Sequence, residues 1–316
     1  MSWLAAVRAS ALLLVERPGL AVTGLAGFLA RGGVLLFILP FVTLPTPVGI
    51  GNWIGPTSIT ASGPAERLVW LIGAIVGMLV IGLAIGTVLG SFADLALFRA
   101  AGGRTRTSGR SRRGVDATLV LLRLVLIRLL ALTPLALAVA WSAQRFGAAI
   151  YRELILPDEL VTPLVLRVLD RTRDAVAIVI LAWLAGEFVG GIAVRHHLRR
   201  GDPIPVALLR PAVDLVRRPV TTLATFAASA ILPVVAVAPP LALAWFLFGG
   251  VRFALADGDL VLTIAAVVLF VAAWVSALAL AGLVAAWRSL LGSFEVLRAG
   301  RDVPAPALPM TVPAEA

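Results

Sequence analysis

Six long apolar runs dominate the chain, separated by polar, glycine-rich or arginine-rich segments. They lie near Leu20–Leu44, Leu68–Phe98, Leu119–Trp141, Ala175–Val194, Val220–Phe248 and Leu260–Trp287. A helix crosses the hydrocarbon of a bilayer with about 20 apolar residues, so each run predicts a transmembrane span. The third is the least regular, because Arg123 and Arg128 interrupt its first half. The first run is too long for the apolar core of a secretion signal, and no small-residue cleavage site follows it. The expected fold class is all-α: a polytopic transmembrane helix bundle of about six spans.

Shorter patterns fill the gaps. Trp3, Leu4, Val7, Ala11 and Leu14 share one helical face near the N-terminus. Val206, Leu209, Val213 and Val216 do the same, with Arg210, Asp214 and Arg217 opposite. Both stretches predict amphipathic helices lying in the membrane interface. Between the third and fourth runs, Phe146, Ile150 and Leu154 fall four apart, and Leu164, Val165, Val168 and Leu169 form a second stripe. Two short interfacial helices are expected across 143–173. The segment Pro45–Gly63 reads as a Gly, Pro, Ser and Thr loop with Trp53 near the interface. Residues 304–316 read as a Pro/Ala-rich disordered tail.

Arginine placement sets the orientation. Segments 1–19, 99–116, 195–219 and 288–316 hold 17 arginines, against 7 in 44–67, 143–173 and 249–259. The first set is therefore expected in the cytoplasm, with both termini inside and the chain in a bacterial inner membrane. The run Arg104, Arg106, Arg110, Arg112, Arg113 admits a nucleic-acid reading. A topogenic loop near anionic lipid headgroups explains it more simply, and no nucleic-acid partner is expected.

The chain also resembles itself. Leu89-Gly90-Ser91-Phe92 recurs as Leu291-Gly292-Ser293-Phe294, an offset of 202 that also brings Arg8 onto Arg210. With a slip of one, Arg17-Pro18 meets Arg218-Pro219. At half that offset, Gly86, Gly90 and Arg99 fall on Gly186, Gly190 and Arg199. The reading is a single transmembrane domain over 1–303, built of three two-helix units at about 1–103, 104–202 and 203–303. All units enter from one side, so they are parallel repeats about an axis along the membrane normal. Chance likeness among Ala/Leu/Gly-rich helices is the alternative. Gly82, Gly86 and Gly90 repeat every four residues and predict close helix packing, within the bundle or in a homo-oligomer.

Composition narrows the chemistry. The chain is 60% hydrophobic and 14% charged, with a mean hydropathy of +1.01. It has no cysteine, which excludes disulfides and thiol chemistry. Every one of its 27 basic residues is arginine, which excludes lysine Schiff bases and a P-loop lysine. The lysine-free, alanine-rich composition suggests a high-GC bacterial genome. No zinc-protease, nucleotide-binding or nucleophile-elbow motif is present, so neither an enzyme nor a cofactor is expected. His196 and His197 are adjacent and point about 100° apart on a helix. They cannot share one metal from a single face, and they are placed in the cytoplasmic interface beside Arg195 and Arg199.

Charges inside spans are the remaining candidates, since each costs about 2.5–3.5 kcal/mol at a helix centre. Arg31 lies midway along the first span, followed by Gly32-Gly33, and Glu187 lies in the inner middle of the fourth. Both are expected to face the bundle interior at similar depth and to pair, directly or through water. A fixed ion pair that only sets helix register is the plainer reading. Asp94 is expected to cap or meet Arg99, and Arg123 and Arg128 to snorkel. At offset 202 Arg31 falls on Pro233, so Gly32-Gly33 and Pro233 are expected to break two spans at one level. Pro40, Pro134 and Pro239-Pro240 add breaks. Interrupted helices at matching positions point to a transport site, although structural kinks explain them equally. The tentative substrate-binding set is Arg31, Gly32, Gly33, Pro233 and Glu187.

The amphipathic helix, Arg17-Pro18, broken first span and Gly90-Ser91-Phe92 together resemble six-span bacterial membrane proteins of uncharacterised role. The arrangement is also loosely similar to the membrane domain fused to some glycerophosphodiester phosphodiesterases. The acidic metal-binding residues of the phosphodiesterase itself have no counterpart here, so the resemblance implies no activity and no functional residue. Two expectations follow. One is a small-solute permease with a polar site at mid-membrane. The other is a non-catalytic scaffold or accessory subunit whose basic loops meet lipid headgroups or a membrane partner.

Overall fold

The computed structural model describes residues 2–38, 41, 59–60, 63–64, 66–102, 115–155 and 164–299. The 104–113 loop, most of Pro45–Gly63 and the 304–316 tail lie outside the described residues. Apart from a two-residue antiparallel pairing of Ile59–Thr60 with Gly63–Pro64, every described element is helical.

Helix α1 (Trp3–Glu16) starts at Ser2, whose Oγ accepts a hydrogen bond from Ala5 N–H at 3.3 Å, and ends at Arg17-Pro18. α2 (Gly19–Phe28) continues through a widened turn at Leu29–Gly33 into α3 (Val34–Ile38). In that turn Arg31 leaves helical geometry (φ −84°, ψ 20°) and Gly32 takes φ +99°. An L side chain is strained at that φ, so glycine is what permits the break. α4 (Glu66–Ala100) returns as one unbroken helix of 35 residues.

α5 (Val115–Ala131) and α6 (Thr133–Ile155) are bent by 40° at Leu132, with Pro134 in the first turn of α6. Proline fits there because its missing N–H would have no helical partner anyway. α6 carries Phe146 and Ile150, so the first of the two interfacial helices expected in 143–173 is an extension of the third span. The second exists as α7 (Leu164–Arg171). α8 (Arg173–Arg200) ends at Gly201, whose φ of +70° closes the helix.

α9 (Ile204–Arg217) is followed by α10 (Pro219–Asp257) and α11 (Leu260–Ala299), joined by a tight turn at Gly258. Asp259 caps α11 by accepting the Leu262 N–H at 3.0 Å. The expected break at Pro233 is absent, because α10 runs helically through Pro233, Pro239 and Pro240. A second interrupted span does exist, but its bend lies at Leu132.

Five described helices are long and apolar enough to cross a membrane, or six if the bent α5–α6 pair is one span. The architecture is an all-helical, multi-pass membrane bundle. Its surface carries a wide apolar belt: Val220, Val234, Phe246, Val261 and Val268 are all exposed. In water such a surface would drive aggregation, whereas lipid tails solvate it without cost.

Small residues let the backbones approach inside the bundle. A Cβ on Gly24 would lie 2.5 Å from Ala286 N, and one on Gly282 would lie 2.8 Å from Ala21 O, so α2 and α11 cross closely. A Cβ on Gly86 would overlap Ala30 O, and one on Gly186 would lie 2.9 Å from Ala131 O. Gly82 meets nothing within 4 Å. The stripe therefore packs the Leu29–Gly33 turn against α4 through Gly86, inside one chain.

Two apolar clusters close the end that carries α1 and α9. Leu95, Phe98, Leu124, Ile127, Val194 and Leu198 join α4, α5 and α8 under Ala207 of α9. Leu97, Ala286 and Leu290 join α4 and α11 beneath Leu13 and Leu14 of α1. α1 is tied further by Trp3, whose Nε1–H donates to Thr225 Oγ1 at 3.0 Å.

Candidate functional site

Each span that meets above these clusters brings at least one charged side chain into the bundle. Arg31 comes from the broken turn, Asp94 from α4, Arg128 from α5, Glu187 and Arg195 from α8, and Arg288 from α11. Asp94 is the hub of the first half. Its Oδ1 lies 2.7 Å from Arg31 Nη2 in an ion pair, and its Oδ2 accepts Arg128 Nη2 at 2.6 Å. Glu187 is the hub of the second half. Its Oε2 accepts Arg288 Nη2 at 2.8 Å, and its Oε1 lies 3.6 Å from Arg128 Nη1. The result is a chain of alternating charge: Arg31, Asp94, Arg128, Glu187, Arg288.

Burial is deepest in the middle of that chain. The side chains of Asp94 and Arg128 are 4% and 7% exposed, whereas those of Arg31 and Arg288 keep 23% and 31%. Arg31 and Glu187 therefore do enter one interior cluster. The expected direct pair does not form, because Asp94 and Arg128 stand between them. Asp94 does not serve as a helix cap near Arg99. Arg128 does not snorkel, while Arg123 is exposed.

Glycines make room for three of the arginines. A Cβ on Gly90 would lie 2.9 Å from Arg31 Nε, and one on Gly292 would lie 2.9 Å from Arg195 Cζ. A Cβ on Gly190 would lie 3.2 Å from Arg128 Nη1. Each guanidinium thus lies close against a neighbouring helix backbone. Arg31 uses that approach to donate to Gly90 O at 3.0 Å. The serines after two of these glycines are buried and bond back along their own helices: Ser91 Oγ to Thr87 O at 2.7 Å, and Ser293 Oγ to Ser289 O at 2.8 Å.

Arg195 differs from the others. It donates to Gly191 O at 2.7 Å, to Ser289 O and Oγ at 3.3 Å, and to Ser293 Oγ at 3.4 Å. No described carboxylate lies within ion-pair distance of it. Sequence reading flagged neither Arg195 nor Arg288. The available signal was spacing, since Arg288 precedes Gly292 by four residues and Asp94 follows Gly90 by four. Each such pair shares one helical face.

Of the remaining sequence candidates, Gly33 packs against Phe28, whose ring a Cβ would overlap. Pro233 sits in the unbroken α10, and no described ion pair or hydrogen bond links that helix to the cluster. His196 and His197 are buried under α9: His196 Nε2 lies 2.7 Å from Asp214 Oδ2, and His197 Nδ1 lies 2.7 Å from Asp202 O. Among the described residues no group of three or more His, Asp or Glu side chains is arranged to hold a metal ion. Two apolar grooves lie away from the charges, one beside Trp245, Phe246 and Leu262, the other beside Leu14, Leu283 and Trp287.

Chemically, the cluster offers fixed guanidinium forks and two carboxylates in a low-dielectric interior, with no hydroxyl or imidazole placed as a nucleophile. Comparison of the chain with protein families, with curated proteins and with solved structures finds no match.

Proposed function

We propose that the protein is a small-solute permease of a bacterial cell membrane, with both termini and the arginine-rich loops in the cytoplasm. Its polar site is the cluster around Arg31, Gly32 and Glu187, enlarged by Asp94, Arg128 and Arg288. Pro233 is no part of it. The observation that carries this reading is the position of the first-span break. The broken turn carries Arg31, which joins a buried ion chain drawn from further spans. Broken spans beside buried charge are typical of membrane solute sites, because freed backbone groups and fixed charges replace the solute's water.

Three two-helix units fit the same reading. In the first, Gly86 meets the Ala30 carbonyl; in the second, Gly186 meets that of Ala131. The breaks at Gly32 and Leu132 fall 100 residues apart. The third unit's first helix is unbroken, and its second, α11, packs against α2 through Gly24 and Gly282.

Flux from proteoliposomes tests the proposal. Radiolabelled inorganic phosphate, glutamate and rubidium serve as probes for wild type, Arg31→Ala and Glu187→Ala. Wild type is expected to pass at least one anion faster than protein-free vesicles, and both variants to lose that excess. Rates equal to protein-free vesicles for every probe, or undiminished in both variants, overturn it.

A second reading is favoured by one observation, the apolar character of both grooves. In it the ion chain only fixes helix register, and the protein is a scaffold that meets lipid headgroups or a partner through α1 and α9. That reading expects no flux of any probe and a partner that co-purifies with wild type but not with variants of α9's exposed residues Val206, Leu209 and Val216.

A further inference from the structure

The cluster does not balance its own charge. Among the described residues, Arg31, Arg128, Arg195 and Arg288 face only Asp94 and Glu187, and each group acts electrostatically on others of the set. Arginine keeps its proton in proteins, so four positive charges stand against at most two negative ones. Glu295, about two turns beyond Arg288 on α11, is taken up by Arg298 at 2.7 Å. A surplus of two charges in a site of low dielectric is costly unless a counter-charge enters.

Arg195 has hydroxyl and carbonyl partners and no carboxylate among the described residues. Arg31 and Arg288, at the ends of the ion chain, are the most exposed of its members. Arg128 Nε is buried with no hydrogen-bond partner among the described residues. Ser289 and Ser293 add hydroxyls beside Arg195.

We infer that this cluster binds one oxyanion of the phosphate class, carrying up to two negative charges, between Arg195 and the exposed edges of Arg31 and Arg288. Guanidinium forks match the paired oxygens of a phosphate, whereas chloride fills one direction only and a carboxylate supplies one charge. A free phosphate and a lipid phosphate headgroup share this chemistry. The inference rests on the same site as the permease reading but concerns binding alone.

Thermal unfolding of the full chain in phosphate-free detergent tests it. A ligand held only by the folded state raises the midpoint with saturation. The probes are inorganic phosphate and short-chain phosphatidic acid, each against sodium chloride at equal ionic strength. The expected result is a saturable rise with at least one phosphate probe and none with chloride. A rise with inorganic phosphate assigns a soluble ligand, and a rise with phosphatidic acid alone assigns a headgroup; both support the inference. Arg288→Gln is expected to weaken the affinity about tenfold. Ser289→Asp, which places a carboxylate beside Arg195, is expected to raise the ligand-free midpoint and abolish the response.

No rise with either probe, an equal rise with chloride, or an undiminished rise in both variants overturns the inference. Should Ser289→Asp lack a cooperative transition, calorimetric titration of the probes into wild type and Arg288→Gln decides the matter: saturable heat weakened in the variant supports the site, and no heat or equal affinities overturn it. Binding without flux removes the permease and leaves the oxyanion site standing. Flux of another solute without phosphate binding does the reverse.

Discussion

Arg128 Nη2 lies 2.6 Å from Asp94 Oδ2, across two helices that the sequence separates with an arginine-rich loop. Both side chains are almost wholly buried, and Asp94 also holds Arg31. Removing the carboxylate leaves Arg31 with the Gly90 carbonyl and Arg128 with only Glu187, 3.6 Å away. Asp94→Asn is expected to cost about 3–5 kcal/mol, the range found when one member of a buried pair is lost. Thermal or denaturant unfolding in detergent measures it, and a loss under about 1 kcal/mol would show that the pair is not buried as described.

Gly86 and Gly82 give a matched contrast. A methyl on Gly86 must displace the Ala30 carbonyl, whereas one on Gly82 meets nothing within 4 Å. Gly86→Ala is expected to destabilise by about 1–3 kcal/mol, as overpacking does. Gly82→Ala is expected to be neutral or slightly stabilising through helix propensity. Equal melting temperatures for the two variants would refute the contact of Ala30 with α4.

Gly32 is open in space but fixed in backbone, at φ +99° with no neighbouring atom within 4 Å of where a methyl would stand. Gly32→Ala is therefore expected to cost about 1–2 kcal/mol through strain alone. The same variant should straighten the turn and draw Arg31 from Asp94. Double-mutant cycles of Arg31→Ala with Asp94→Ala check this, the coupling being smaller in the Gly32→Ala background.

The absence of cysteine gives a clean background for topology. Ser108→Cys in the arginine-rich loop is expected to resist a membrane-impermeant thiol reagent in intact cells. Gly258→Cys, at the turn between α10 and α11, is expected to react. The opposite pattern would invert the proposed orientation.

The spans were legible because their signal is local: an apolar run of sufficient length reads as a membrane helix whatever its neighbours do. The limits of that signal show at Pro233 and Phe146. Proline predicts a break, yet α10 continues, since a long helix tolerates the loss of one hydrogen bond when its flanks are held. Phe146 and Ile150 have interfacial spacing, yet they prolong α6. The cluster was half legible. Arg31 and Glu187 stood out as charges deep in apolar runs, but their partners depend on how each helix is rotated. Asp94 and Arg128 lie closer to span ends, where a local rule assigns capping and snorkelling. Only the packing of α4 on α5 turns them towards each other. Gly90 reads as a helix contact and Gly190 and Gly292 as its repeat positions, and the structure sets a guanidinium against each of the three.

The alternating order of the ion chain also bears on how the molecule is made. Read from the N-terminus, the cluster's charges emerge as positive, negative, positive, negative, and then positive twice. During biosynthesis Arg31 is threaded into the bilayer first and waits one hairpin for Asp94. Every later arrival up to Glu187 finds an opposite sign already seated, and Arg288 closes on Glu187 as the final helix docks. A nascent chain halted before α4 therefore carries a stranded cation in its first span, and ribosome-stalled products of that length should slip back out of the membrane more readily than those one helix longer.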